Sequence, residues 1–324
     1  MLGFIIQRLL QAVGVMLAMS VIVFVGVYAI GNPIDILIPP EADQAIRQAV
    51  IERYGLDQPL WRQYLVFLGN LLQGDLGRSF IFNIPALDLI LGRMPATLEL
   101  ALSAVIAATL IGIPLGVYAG YRPESPLSRA IMGFSILGFS LPTFWVGLIL
   151  IMVFAVELGW LPAGGRGATV ELFGVEWSLL TWDGARHVVL PAINLALFKL
   201  ALLTRLARAG TREAMLADYV KFARAEGLSE AQVLGRHVLK NISIPIVTVF
   251  GLELGSTVAF AVVTETIFSW PGMGKLIIDS ITVLDRPVMV AYLILITFLF
   301  IMINLAVDLV YAMLDPRLRR SAAR

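Results

Sequence analysis

Two charged side chains fall in the middle of otherwise apolar stretches, Lys199 within 188–206 and Glu253 within 242–264. A charge at the centre of a bilayer costs about 2.5–3.5 kcal/mol on insertion scales. Both are therefore expected to turn inward, where they pair or line a solute path. A buried pair that only fixes helix register is the alternative. Glu99 and Glu265 lie near the ends of apolar stretches. They suit helix capping or the positioning of adjacent loops, and Glu265 is also a candidate for the path. Asp308 is placed to accept from Asn304 or from a basic residue of the tail.

Covalent chemistry finds little support. The chain has 0 cysteines, which excludes a disulfide framework, a Cys-ligated metal and a thiol nucleophile. His187 and His237 are too far apart for a zinc-hydrolase motif, and no metal is expected. His187 reads as an interfacial polar residue and His237 as a polar residue of a cytoplasmic segment. Ala163-Gly164-Gly165-Arg166-Gly167 lacks the GxxxxGK[ST] pattern and reads as a flexible loop, not a phosphate cradle. No HExxH, Ser–Lys or paired-Asp membrane motif supports an intramembrane enzyme. A net charge of +1 carries no nucleic-acid footprint.

The elements that must position these residues are membrane helices. Of 324 residues 59% are hydrophobic and 15% charged, against roughly 45–50% and 25% in soluble domains. Six apolar segments approach or exceed the ~20 residues that cross a bilayer: 9–30, 98–121, 130–156, 188–206, 242–264 and 288–314. The first is too long for a signal-peptide core and reads as a retained span. Pro114, Pro142, Pro191 and Pro245 are expected to mark kinks. Basic residues concentrate in the N-terminus, near Arg122 and Arg129, in 208–241 and in the tail. This places both termini in the cytoplasm.

The fold class expected is an all-α membrane protein of six transmembrane helices with a small extracytoplasmic helical insertion after the first span. The organisation is 1–30 for the N-terminus and first span, 31–95 for the insertion, 96–314 for a five-helix core and 315–324 for a cytoplasmic tail. Within the insertion, one helix opens at Pro39-Pro40-Glu41 and ends at Gly55. A second has Pro59 at its first position and Trp61, Tyr64, Leu65 and Leu68 on one face, and ends at Gly74.

The segment 208–241 joins the fourth and fifth spans. Asp218 can cap a short helix that puts Tyr219, Phe222 and Ala223 on one side. Gly227 breaks it. Ser229 and Gln232 fit a capping box that starts a second helix. The pattern reads as a helix–Gly–helix elbow on the inner membrane surface, offering an aromatic and small-residue face to another chain. A basic loop lying on anionic headgroups is the other reading.

This elbow resembles the "EAA" coupling loop of ABC-importer permeases, whose pattern is Glu-Ala-Ala-x3-Gly-x9-Ile-x-Leu-Pro. Ala223, Gly227 and Leu239 match it; Lys221, Phe222, His237 and Lys240 depart from it. The departures resemble the peptide-permease branch: Ala223-Arg224-Ala225-Glu226-Gly227-Leu228, then His237-Val238-Leu239-Lys240-Asn241. Glu226 stands where that branch usually has Lys. Further blocks resemble the same family in order: Tyr54-Gly55-Leu56-Asp57-Gln58-Pro59, Gly74-Asp75-Leu76-Gly77-Arg78-Ser79, Arg93-Met94-Pro95-Ala96-Thr97-Leu98-Glu99-Leu100, the run from Thr264 to Gly274, and Asp308 with Asp315-Pro316-Arg317.

The resemblance implies the type I importer permease fold and a B-type permease of the dipeptide/oligopeptide (peptide/nickel) family in a prokaryotic plasma (inner) membrane. It implies a homologous C-type permease partner, two ABC ATPase subunits that bind ATP and Mg, an extracytoplasmic solute-binding protein, and no cofactor in this chain. It further implies that Asp218, Tyr219, Phe222, Ala223, Arg224, Ala225, Glu226, Gly227, Leu228 and His237 meet the ATPase. Phe268, Trp270, Pro271 and Gly272 would form an outer gate loop; a plain interfacial turn is the other reading of that loop. A proton-coupled secondary transporter using intramembrane carboxylates is the alternative function.

Overall fold

The computed structural model describes residues 2–29, 44–45, 48 and 57–314. Of the helix expected between Pro39 and Gly55, 44–45 and 48 are described, as helix, and the remainder, like the tail from Asp315, lies outside the described residues. The chain divides into two units, Leu2–Met94 with Leu276–Ile301, and Pro95–Lys275 with Met302–Arg324.

In the former unit, α1 (Leu2–Ala29) carries an apolar stretch, Ile6–Gly26, long enough to cross a membrane. Against it lies α2 (Leu60–Leu72). Phe24 meets Tyr64 edge-on at 5.3 Å and Phe67 at 5.8 Å, and Ser20 shares a 2.8 Å hydrogen bond with the Tyr64 hydroxyl. The packed face of α2 therefore runs through Tyr64 and Phe67, while the expected Trp61 and Leu65 are exposed. Pro59 is the N-cap, one position before the first helical residue. Gly74, at φ +77°, ends the helix, with Gly74 N donating to Leu71 O and Asp75 N to Asn70 O. The Asp285 carboxylate accepts from Ser79 Oγ and Phe80 N, fixing the turn that follows.

The unit around Pro95–Lys275 contains the rest of α3 (Ala86–Tyr121), α4 (Pro126–Ser140), and α5 (Thr143–Leu150) with its π-helical continuation Ile151–Glu157. Then follow α6 (Trp182–Leu216), α7 (Asp218–Ala225), and α8 (Glu230–Gln232) with the π-helical Val233–Val238. The order closes with α9 (Leu239–Phe260), α10 (Val262–Ile267), and then α11 (Met273–Thr282) and α12 (Arg286–Leu314), whose residues between Leu276 and Ile301 belong to the former unit. A hairpin, β1 (Val170–Leu172) and β2 (Val175–Trp177), departs from the all-helical expectation. Phe173 and Gly174 turn it with φ of 55° and 75°, the pair of positive values a type I′ turn needs.

Small residues let α3 and α6 approach closely. A Cβ on Gly112 would sit 3.1 Å from Leu200 O, one on Gly116 2.6 Å from the Ala207 Cβ, and one on Gly120 2.6 Å from the Thr211 Cβ. The contact positions rise together along both helices, so α3 and α6 run parallel. Helices α9 and α10 return antiparallel to α6, since Ile242 meets Gly210, Glu253 meets Lys199, and Thr264 of α10 meets Asn194.

The expected third span is broken. α4 and the α5 segment meet at 108°, because Pro142 holds Leu141 extended at φ −85°, ψ 135°. A second bend of 52° separates Glu230–Ser243 from Pro245–Phe260. Pro114 and Pro191, also expected to kink, lie inside unbroken α3 and α6. Among the described residues, four helices are long and apolar enough to span a membrane, or up to six if each bent pair is one span.

Candidate functional site

The parallel and antiparallel pairs give the Pro95–Lys275 unit two ends and a middle. The elbow after α6 forms one end. Ala217, extended, is the N-cap of α7. Asp218 does not cap, contrary to expectation: its carboxylate takes a 2.8 Å bond from Lys221 three residues on, which holds its pKa below the usual carboxylate range. Val220 and Ala223 are buried against Ala214, Val233 and Val238. The expected common face of Tyr219, Phe222 and Ala223 is thus divided. Ala223 points inward, Phe222 is 65% exposed, and the half-exposed Tyr219 accepts a 2.6 Å bond from Asn241 Nδ2.

Gly227, at φ +86°, ends α7. Its N–H donates to Arg224 O and that of Leu228 to Ala223 O, a Schellman closure. Ser229 and Gln232 form both bonds of the capping box. Across this turn Arg224 grips Glu230 with two bonds, at 2.8 and 3.1 Å. The Arg224 hydrogen bond keeps the Glu230 pKa low, with a smaller contribution from the Tyr121 hydroxyl. Arg224, Ala225, Glu226 and Gly227 remain exposed, while Leu228 and His237 are half-buried. The sequence reading missed Val220, Val233 and Glu230; the valines' spacing across two short helices was the available signal.

In the middle, Lys199 Nζ lies 3.2 Å from Glu253 Oε2. The pair lines a cavity of about 490 Å³ with Thr143, Ser256, Thr257 and Thr264 among its walls.

The opposite end is a network of buried polar groups. Glu99 accepts from Ser178 N at 2.7 Å, Leu179 N at 2.9 Å and Arg166 at 2.9 Å. Arg166 also bonds Ser178 and the Glu176 carbonyl, and Gly165 N donates to Phe268 O. The loop expected to be flexible around Gly165 is therefore pinned. His187 Nδ1 contacts the Asp183 carbonyl at 2.8 Å. Glu265, a candidate for the path, is fully buried. It accepts from Thr97 Oγ1 at 2.6 Å and Lys275 N at 2.9 Å, and Thr97 Oγ1 in turn accepts from Met273 N. Its carboxylate crowds Gly272, where a Cβ would collide with it, and it brackets the start of α11 instead of lining the cavity. Trp270, expected at the interface, is fully buried, with Nε1 donating to Ala96 O at 2.9 Å. Phe268 and Gly272 are buried beside it, and Pro271 is half-buried. Among the described residues no group of His, Cys, Asp and Glu could hold a metal.

Comparison with known proteins agrees along 98% of the chain. The family model described as "Binding-protein-dependent transport system inner membrane component" matches residues 112–320, and its N-terminal companion matches residues 1–101. The oligopeptide transport system permease protein AppB of Bacillus subtilis is 41% identical, covering 98% of this chain and 99% of the relative. The di/tripeptide transport system permease protein DppB of Pseudomonas aeruginosa is 40% identical, with 98% and 99% covered. The glutathione transport system permease protein GsiC of Escherichia coli is 36% identical over the same shares. Among solved structures, a chain of the inward-facing MetNI methionine ABC transporter superposes with a TM-score of 0.54. It covers 70% of this chain and 96% of that one at 16% identity, which shows a shared fold.

Proposed function

The chain belongs to the family of binding-protein-dependent transport system inner membrane components, and from that premise we propose that it carries peptides through an importer driven by ATP hydrolysis in separate subunits. As a permease of this family it is a multi-pass, non-enzymatic transport subunit of an ABC importer. Its working assembly combines another permease, an ATPase and a binding protein. In the fuller reading the permease partner is a homologous C-type chain, two ATPase subunits bind ATP and Mg, and both termini lie in the cytoplasm of a prokaryote. Peptides are the solute class because the relatives that match end to end are named for oligopeptides, di/tripeptides and glutathione.

The observation that carries the mechanism is the elbow from Asp218 to His237. It is rigid within itself, through the buried valines, the Gly227 closure and the Arg224–Glu230 grip, yet it presents Phe222 and 224–227 outward. It continues α6 at one end and leads into α9 at the other. These two helices carry Lys199 and Glu253, so a push on the elbow is delivered to both walls of the cavity. In this reading ATP-driven closure of the motors shifts the bundle between two access states, and the motors bias that equilibrium through differential contacts with the elbow. The segment Phe268–Gly272, at the far end of α9, serves as the outer gate by closing on α3 through Trp270. A proton carrier has no corresponding support: Glu265 is sealed between Thr97 and the start of α11, and Glu253 is paired with Lys199.

Phe222→Glu tests the docking face, because a charge placed at the centre of an interface must be desolvated. In membranes holding the complete importer, the ATPase should co-purify with the variant at least tenfold less, and ATP-driven peptide uptake should fall with it. Full attachment and uptake in the variant would overturn the docking role.

A further inference from the structure

Two ion pairs in the Pro95–Lys275 unit are built in opposite ways. Glu99 is sealed, and its oxygens take bonds from two backbone amides and from Arg166, which itself has further acceptors. Nothing is left for a solute to use. Lys199 and Glu253 are joined by one bond of 3.2 Å, longer than the ~2.7–2.9 Å of a tight charge-assisted contact. An ammonium group has three N–H donors; among the described residues Lys199 uses one of them in a hydrogen bond to protein, and its Nζ lies 6.0 Å from the Phe198 ring centre. Glu253 Oε2 gains a weak contact from Ser256 Oγ at 3.3 Å, a hydroxyl that also donates to the Glu253 carbonyl at 3.0 Å. Both charges face a cavity of about 490 Å³, within the usual range for small-ligand pockets.

We propose that Lys199 and Glu253 form a transient recognition site for a zwitterionic solute, which opens the pair and takes each partner's place. The solute carboxylate accepts from Lys199 and its ammonium donates to Glu253, with the hydroxyls of Thr143, Ser256, Thr257 and Thr264 near enough to exchange hydrogen bonds with both. The net charge matters. A solute bearing one charge would leave either Lys199 or Glu253 without a counter-charge in a low-dielectric place, where an uncompensated ion is expensive. A zwitterion exchanges one compensated pair for two. The pair re-forms behind the departing solute, so the site releases as well as binds. This rests on the peptide-import reading, and an unblocked peptide with free termini has the required chemistry.

The test replaces the pair in two ways within the complete importer in proteoliposomes. Lys199→Met with Glu253→Met keeps volume without charge, a change that structural ion pairs often tolerate. Lys199→Gln with Glu253→Gln keeps hydrogen bonding without charge. Uptake of dialanine, assembly, and ATPase stimulation by loaded binding protein are measured together. The expected result is uptake reduced at least tenfold with assembly and stimulated hydrolysis within twofold of the unaltered complex. Retained uptake in either assembled variant overturns the proposal and leaves the pair a helix-register device. Failure of both variants to assemble overturns it likewise, by showing that the charges serve the fold. If the unaltered importer takes up neither dialanine nor longer peptides, it is the peptide-import reading that has failed.

Discussion

Gly227 is the residue at which backbone conformation and function meet most simply. Its φ is +86°, and a Cβ there would touch nothing within 4 Å. A Cβ would therefore meet no clash, and the penalty at that atom is the left-handed backbone, of order 1–2 kcal/mol for most residues. Gly227→Val should loosen the closure of α7 and speed amide exchange at Leu228 about tenfold or more. Gly227→Asn, which tolerates this conformation, should exchange nearly as the parent does. Equal exchange in Val and Asn variants would show that the closure does not hold the elbow. Gly227 was legible in the sequence because its rule is local, as was the Ser229–Gln232 box. Asp218 was misread because two local rules compete there, and the ion pair with Lys221 wins over the cap. Glu265 and Trp270 were not legible in detail, since their partners Thr97 and Ala96 lie 168 and 174 residues away.

At the scale of elements, the decisive contact is the one between α3 and α6. The glycines at 112, 116 and 120 recur every four residues, one face of a helix, and they accept the backbone and small side chains of α6 directly. Gly116 is the tightest of these with respect to immovable atoms, because a Cβ there would collide with the Thr204 carbonyl as well as the Ala207 Cβ. Gly116→Val should separate the helices and lower the thermal stability of the assembled importer by several degrees, with a destabilisation of about 1–3 kcal/mol typical of overpacking. Gly133→Val, where a Cβ meets nothing within 4 Å, is the control and should shift it little. Equal effects at both sites would refute close packing of α3 on α6. The hydropathy pattern gave the approximate positions of these helices, because lipid exposure is a property of long windows. It could not give which prolines break a helix. Pro142 does so with Leu141 held extended before it, whereas Pro114 and Pro191 are absorbed into continuous helices.

At the scale of the whole molecule, the parallel course of α3 and α6 fixes what the broken segment between them must do. The chain leaves α3 at Tyr121, whose hydroxyl meets Glu230 of the elbow. Further along, it bonds α3 at Glu99, through Arg166 and the amides of Ser178 and Leu179. These two points on α3 are 22 residues apart, roughly 33 Å at about 1.5 Å per residue, which matches the ~30 Å hydrocarbon core. We propose that residues 126–157 carry the chain from one end of α3 to the other in spite of the 108° bend, acting as one bent span and not as a re-entrant loop. The chain has 0 cysteines, so single-cysteine variants report without background. Glu124→Cys and Ala225→Cys should react with an impermeant maleimide from the same side of the membrane, the cytoplasmic side in the proposed arrangement. Phe173→Cys, at the 96% exposed hairpin tip, should react only from the other side. Labelling of Glu124→Cys and Phe173→Cys from one side would make the segment re-entrant, leave α3 and α6 antiparallel across the bilayer, and remove the elbow from the side on which an ATPase must bind.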